Sequence, residues 1–140
     1  MTARPFLDTN LLVYASLEVA SSQAHARVDR AQAILTGGGI VSVQVLNEFV
    51  DVARRKFNHP WAKVQQLLYA VELCCGEAQP LSAILQAHAV ALAARYGLRI
   101  YDAAIIASAI EAGCTSLYTE DLQHGQQIEG LRIENPFLSA

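Results

Sequence analysis

The alternation of short apolar segments with longer helical patterns constrains the fold of this 140-residue chain more than any other feature. The short segments are bounded by turn-forming or helix-capping residues, which is typical of strands. The predicted strands are Phe6–Leu7, Ile40–Val43, Leu98–Tyr101, Thr115–Tyr118 and Leu131–Glu134. Because strands separated by helices require crossover connections, we expect an α/β protein with a mainly parallel sheet between helical layers.

Helical patterns fill the chain between these strands, and capping residues and glycines mark their ends. The most apolar of them, Ala103–Ala112, has no polar face, so we expect it to be buried on most sides. The other predicted helices are Leu11–Leu17, a segment from Ser22 to the glycines at 37–39, Gln44–Phe57, a segment from Pro60 to Gly76, and Leu81–Tyr96.

The composition predicts a single domain, residues 1–140, with one core and some exposed apolar surface. Apolar residues make up 53% of the chain and charged residues only 16%, which excludes a disordered chain. Exposed apolar surface often contacts a partner, although scattered apolar residues need none.

The chain shows no sequence signal for a membrane or for export. No apolar stretch approaches the roughly 18 residues that a membrane span needs, and Met1–Phe6 lacks the pattern of a signal peptide. The three cysteines, Cys74, Cys75 and Cys114, form neither a disulfide framework nor a metal-ligand spacing. We therefore expect a cytoplasmic protein whose cysteines are reduced core side chains.

Three aspartates follow predicted strands close to the point where each strand ends. Asp8 and Asp102 come directly after their strands, and Asp121 follows shortly after a third. Each alone could be a helix N-cap. Because the carboxyl ends of parallel strands meet at one edge of a sheet, we expect the three carboxylates to converge, and their repulsion then requires a compensating cation.

Glu48 is a fourth acid that could reach the same edge. At about 100° per residue, it falls beside Val45 and Val52 and so borders the apolar face of the predicted helix Gln44–Phe57. The alternative interpretation is a solvated glutamate at the margin of the helix.

Four carboxylates without clustered histidines or cysteines are typical of a site for a hard cation, Mg²⁺ or Mn²⁺, rather than zinc. Magnesium keeps several waters and takes further ligands from phosphates, which favours phosphodiester hydrolysis by activated water. The chain shows no evident serine or cysteine nucleophile with a nearby base. The histidines lie on separate elements without ligand spacing: His25, His59, His88 and His124.

The net charge of −3 argues against a protein that holds nucleic acid by its overall charge. Without the four candidate acids, however, nine acidic residues stand against ten Lys and Arg. The acidity is therefore concentrated in one predicted pocket, where a cation would offset it and a nucleic-acid phosphate could approach. Arg55 lies within about 20° of Glu48 on the helical wheel and could bind that phosphate. Alternatively, Arg55 is a solvated cation near the helix C-terminus.

Six segments occur in order along the chain: Phe6–Asn10 with Tyr14, Asn47–Phe49, Tyr101–Ala103, Thr119–Leu122 with His124 and Gly125, Gly130–Ile133, and Asn135–Phe137. In this order and spacing they resemble the motifs of the PIN-domain ribonucleases. The closing segments are similar to those of one bacterial branch, the VapC-like toxins. The resemblance covers nearly the whole chain.

The resemblance implies a three-layer α/β/α PIN-like fold and a ribonuclease that depends on Mg²⁺ or Mn²⁺. The residues that it implies as catalytic and metal-binding are Asp8, Glu48, Asp102 and Asp121. Glu120 competes with Asp121 for the fourth position, although the neighbouring Thr119 favours Asp121. Asn10 and Thr119 could hold the acids by hydrogen bonds, or could be ordinary caps.

The resemblance also implies partners: an RNA substrate, a cognate antitoxin that blocks the acids with an arginine, and a second copy of the chain in a homodimer. Two other functions stay open. A catalytically silent PIN-like interaction module would keep the fold without turnover. A receiver-like phosphoacceptor domain also carries acids at strand ends, but Asp8 has no acidic neighbour and no lysine follows Lys63.

Overall fold

A computed structural model describes residues 4–17 and 22–138 of the chain. Within these ranges the strands are β1 (Phe6–Leu7), β2 (Ser116–Tyr118), β3 (Gln127–Ile128) and β4 (Leu131–Glu134). They form one sheet in the order β1-β2-β4-β3. The β1/β2 and β2/β4 pairs are parallel, whereas β3 and β4 are antiparallel.

Helices flank this sheet. The helices of the described ranges are α1 (Thr9–Ser16), α2 (Ser22–Thr36), α3 (Val43–Arg55), α4 (Trp61–Cys75), α5 (Ala83–Tyr96) and α6 (Ile100–Glu111). α1 packs on α2 and α3, and α3 packs on α4, while α5 pairs with α6 and α6 contacts β2 and β4. This arrangement confirms the predicted three-layer α/β/α class with a mostly parallel sheet.

The strand register brings the carboxyl ends of β1, β2 and β4 to one edge. Leu7 lies opposite Tyr118, and Tyr118 lies opposite Glu134. Beyond the strands, the Asp8 N–H donates to the Tyr118 carbonyl (3.1 Å), and the Thr119 N–H donates to the Glu134 carbonyl (3.0 Å). Asp8 and Thr119 are thus held at this edge by the backbone itself.

The strand predicted at Leu98–Tyr101 is wrong. Gly97 ends α5 in the left-handed conformation (φ 67°), and α6 begins at Ile100 directly after the extended residue Arg99. Such a short connection between two packed helices leaves no room for a strand, so packing overrides the strand propensity of these residues. Asp102 therefore lies in the first turn of α6 and not at the end of a strand.

The segment Ile40–Val43 also falls short of the predicted strand. Ile40 pairs with Phe6 and Ser42 with Gln79 only through isolated bridges. α3 begins at the last residue of the segment, because the Ser42 hydroxyl caps the helix. The capping signal of the serine outweighs the β-branched residues on either side of it.

Strand β3 was not predicted. Glu129 and Gly130 both have positive φ (49° and 85°) and join β3 to β4 in a two-residue turn. Turns of this kind usually carry Asn-Gly or Asp-Gly. Because Glu129 stands in place of the Asn or Asp, the sequence did not indicate a hairpin here.

The core confirms that α6 is buried on most sides, since its buried residues include Ile105, Ile106 and Ala107. Cys75 and Cys114 are buried in the same core, and the cysteines of the described residues are free thiols. Burial raises the pKa of Cys114 to about 11. No helix in the described part of the chain is long and apolar enough to cross a membrane.

Candidate active site

Asp8 is the most buried of the four candidate acids, with 7% of its surface exposed. It follows β1 and caps α1, since its Oδ1 accepts the Thr9 N–H at 2.7 Å. Its Oδ2 accepts the hydroxyl of Thr119 at 2.7 Å. Both carboxylate oxygens are therefore fixed at the carboxyl edge of the sheet.

The surroundings of Asp8 disfavour its negative charge. Burial raises the pKa of this carboxyl from 3.8 to about 6, against the opposing effect of the bonds from Thr119 and Thr9. The nearby carboxylates of Asp121 and Glu48 raise the pKa further. The site therefore carries negative charge that a bound cation would offset.

One hydroxyl side chain holds Glu48, and one amide side chain holds Asp121, close to Asp8. Thr9 donates its hydroxyl to Glu48 Oε1 at 3.2 Å, and Asn10 donates its amide Nδ2 to Asp121 Oδ2 at 3.1 Å. The hydroxyl of Thr119 accepts the Asp121 N–H at 3.1 Å while it donates to Asp8. Asn10 Oδ1 is buried without a partner in the described residues, so this acceptor is available to a bound water.

Asp102 reaches the same place from α6. Its side chain is half-buried, and Asp102 Oδ2 accepts the Nε–H of Arg99 at 3.3 Å. Arg99 precedes the first turn of the helix as its N-cap residue and makes no capping bond with its side chain.

One cavity of about 300 Å³ brings the four acids together. Its lining residues are Asp8, Thr9, Glu48, Arg99, Tyr101, Asp102, Ile105 and Asp121. No three acid, histidine or cysteine side chains in the described ranges are grouped closely enough to enclose one ion. Mg²⁺ needs no such cage, because it binds through one or two carboxylates and completes its shell with waters and phosphates. The oxygen-only donor set and the disfavoured charge of Asp8 therefore fit a hard divalent cation.

Glu120 is turned away from this cavity. It accepts the hydroxyl of Tyr14 at 2.9 Å and forms an ion pair with Arg27. The Arg27 guanidinium lies over the rings of Tyr14 and Phe137, 5.9 and 5.5 Å from their centres. The geometry thus separates the two candidates for the fourth acid, because only Asp121 lines the cavity with the other three.

A second cavity, of about 800 Å³, opens beside the first and shares Thr9, Glu48 and Asp121 with it. Arg55 lines this larger cavity but not the smaller one. Its guanidinium pairs with Asp51 on the next turn, at 3.1 and 3.2 Å, and both side chains are exposed. Arg55, the residue predicted to contact RNA, therefore lies near the acids, but its guanidinium is paired with Asp51 on the same helix.

Two arginines that bind acidic residues in this region were not predicted from the sequence. The ion pair of Arg99 with Asp102 was not predicted, because a strand was predicted over Arg99. The spacing of the two residues nevertheless suits an i,i+3 pair on a helix. Arg27 meets Glu120 from a distant position in the chain, and no local pattern could have indicated that contact.

Comparisons with known proteins agree with this fold. The profile of the PIN domain family matches residues 6–126. A solved structure described as a toxin-antitoxin complex from Klebsiella pneumoniae contains a chain with the same fold, with a TM-score of 0.68 and 21% sequence identity. The match covers 95% of this chain and 98% of that one. No curated protein matches the sequence. Since the family profile spans most of the sequence, the chain belongs to the PIN domain family.

Proposed function

We propose that the protein is a divalent-metal-dependent ribonuclease and the toxin of a toxin–antitoxin pair. The observation that carries the proposal is the single cavity lined by four carboxylates at the carboxyl edge of the sheet. PIN domains are generally nucleases, which supports hydrolysis of a nucleic acid. The Klebsiella pneumoniae structure supports the toxin role.

The residues that would hold Mg²⁺ or Mn²⁺, directly or through the waters of the ion, are Asp8, Glu48, Asp102 and Asp121. A bound ion would supply an activated water and offset charge on the phosphate. Thr119 and Thr9 hold both oxygens of Asp8, and Asn10 orients Asp121. These bonds keep the acids in place for the ion, which is the role we assign to Asn10 and Thr119.

RNA is the proposed substrate, and the distribution of charge supports it. Outside the four acids, the chain carries one more basic than acidic residue. Arg55 and Lys56 line the larger cavity beside the acids and offer charge to a flanking phosphate. If Arg55→Ala cleaves RNA as fast as the wild type, Arg55 is a solvated partner of Asp51 instead.

A cognate antitoxin and a second copy of the chain are the proposed protein partners, in the cytoplasm. Apolar side chains are exposed on the outer helices, among them Leu73 on α4 and Ile84 and Val90 on α5, and such surface is suited to protein contacts. Light scattering of the isolated chain tests the dimer, and a monomer at high concentration would count against it. Growth arrest on expression, relieved by Asp8→Asn, would support the toxin role.

The direct test is cleavage of single-stranded RNA with Mg²⁺, with Mn²⁺, and with EDTA. We expect cleavage only with the metals, and loss of about a hundredfold or more in Asp8→Asn and Asp102→Asn. Asp29→Asn is the matched control, because Asp29 is an exposed carboxylate on α2 that lines neither cavity. Equal cleavage in EDTA would refute the metal mechanism. Folded protein without turnover under any condition would indicate a silent interaction module.

A further inference from the structure

The first turn of α6 places a cation and an exposed aromatic ring at the mouth of the acid cavity. Arg99 and Tyr101 both line that cavity. Within the described residues, Arg99 is the one positively charged side chain among its lining residues. Neither residue belongs to the core, and neither is among the acids that would hold a metal.

Arg99 is held only loosely. Its side chain is 86% exposed, and the Nε–H bond to Asp102 is its one recorded partner in the described part of the chain. The remaining N–H donors of the guanidinium are free to bind another group. An exposed ion pair of this kind is weak, so a competing ligand displaces it easily.

Tyr101 presents its ring to solvent from a fixed backbone. The residue is 70% exposed, and its carbonyl accepts a hydrogen bond from the side chain of Gln44 on α3 at 3.1 Å. An exposed aromatic ring at the edge of a polar cavity is a surface on which an unpaired base can stack. The backbone of Tyr101 is therefore held by two helices, while most of the residue stays exposed to solvent.

We propose that the first turn of α6 is a nucleotide subsite, in which Arg99 binds a backbone phosphate of RNA and Tyr101 stacks on an adjacent unpaired base. The inference rests on the proposed function for the presence of a metal at Asp102. With a cation bound at Asp102, the Arg99 guanidinium would lose its partner and would be available to bind the phosphate. The N-terminal end of α6 adds a favourable dipole for an anion at the same point.

This exchange gives Arg99 opposite effects on two ligands. Arg99 competes with the cation for Asp102, so its removal strengthens metal binding. It also contacts the phosphate, so its removal weakens RNA binding. A residue that merely supported the fold would weaken both.

The experiment compares Arg99→Gln, Tyr101→Ala and Tyr101→Phe with the matched control Arg132→Gln. Arg132 is an exposed arginine that pairs with Glu134 at 3.4 Å and lines neither cavity of the candidate site. Mn²⁺ affinity is measured by electron paramagnetic resonance on the otherwise unchanged chain. RNA affinity is measured by fluorescence anisotropy in Mn²⁺ with a labelled single-stranded RNA whose phosphodiester bonds resist hydrolysis, so that all four acids are kept.

For Arg99→Gln we expect Mn²⁺ affinity to rise about threefold, RNA affinity to fall about tenfold, and the salt slope of RNA binding to fall by about one. Tyr101→Ala should bind single-stranded RNA about tenfold more weakly and double-stranded RNA almost unchanged, and Tyr101→Phe should restore binding. The Arg132→Gln control should match its parent in both assays.

The outcomes separate this inference from the proposed function. If the wild type cleaves RNA with metal but Arg99→Gln binds RNA as tightly as its parent, the subsite is refuted and the ribonuclease stands. If both affinities fall together, Arg99 is structural and the exchange is refuted. If the wild type cleaves no RNA under any metal condition but loses RNA affinity with Arg99→Gln, the subsite stands and the catalytic proposal fails.

Discussion

Replacing Asp8 by asparagine should stabilise the metal-free protein at neutral pH while it removes activity. The carboxylate is buried beside two other acids, and these surroundings raise its pKa from 3.8 to about 6. Asparagine has nearly the same shape and can donate its amide to the Thr119 hydroxyl, so the bond at that position is kept. The substitution therefore removes mainly the disfavoured charge.

The pKa shift sets the size and sign of the effect. Raising the pKa from 3.8 to about 6, at about 1.4 kcal/mol per pH unit, corresponds to about 3 kcal/mol. Because the folded state binds the proton more tightly than the unfolded chain, Asp8 favours folding fully below pH 3.8. This contribution is lost as the pH rises through about 6. Above that pH, Asp8→Asn should be more stable than the wild type by up to about 3 kcal/mol.

Urea unfolding in EDTA at pH 4 and pH 7.5 measures this difference. We expect the two proteins to differ little at pH 4 and the variant to be the more stable at pH 7.5. Asp51→Asn removes an exposed carboxylate that lines the larger cavity but not the acid cavity, and it should follow the wild type at both pH values. Adding Mg²⁺ at pH 7.5 should stabilise the wild type more than Asp8→Asn, because the cation offsets the buried charge.

The reasoning would be refuted by a stability difference between wild type and Asp8→Asn that is the same at pH 4 and pH 7.5. In that case the Asp8 carboxylate would be as well solvated in the folded protein as in the unfolded chain. A variant that is less stable at both pH values would mean that the bonds to the carboxylate outweigh its burial.

Three further substitutions test the supports of the site. Thr119→Val should lower the free energy of unfolding by about 1–3 kcal/mol in urea and slow RNA cleavage, because the hydroxyl that fixes Asp8 is lost. Glu120→Gln should slow cleavage less than Asp121→Asn does, because Glu120 pairs with Arg27 and lies outside the acid cavity. Equal losses of activity in the two variants would contradict this placement. Gly39→Ala should lower the thermal midpoint through a loss of about 1–3 kcal/mol, because the new Cβ would lie 2.7 Å from Leu7 Cγ in β1; an unchanged midpoint would show that β1 can shift.

The sequence predicts the convergence of the acids better than it predicts the elements that carry them. Asp8 follows a strand as expected, and the helical wheel places Glu48 at the margin of α3, where the structure has it half-buried. Asp102 reaches the cavity for a different reason, since it lies on the first turn of a helix and not at a strand end. Asp102 still lies near the other acids, because the first turn of α6 borders the same cavity.

What the sequence could not indicate are contacts between distant residues. The choice between Glu120 and Asp121 depends on Arg27, which is 93 positions away from Glu120 and binds it across the fold. Local patterns carry information about neighbours on one helix or one strand, and not about which helix packs against a loop. The same limit applies to the 800 Å³ cavity, whose lining residues come from α1, α3 and the loop after β2.

The burial of Asp8 connects the stability of the fold to its proposed chemistry. A carboxylate with a raised pKa destabilises the empty fold near neutral pH, and a cation that binds there recovers that free energy as binding affinity. The Thr119 hydroxyl and the Thr9 backbone N–H limit the destabilisation, because both donate hydrogen bonds to the Asp8 carboxylate. Asp8 should therefore become more stabilising as an amide, whereas Thr119, whose hydroxyl donates to it, should become destabilising when truncated. Stability measurements in EDTA can thus distinguish the two residues before any substrate is known.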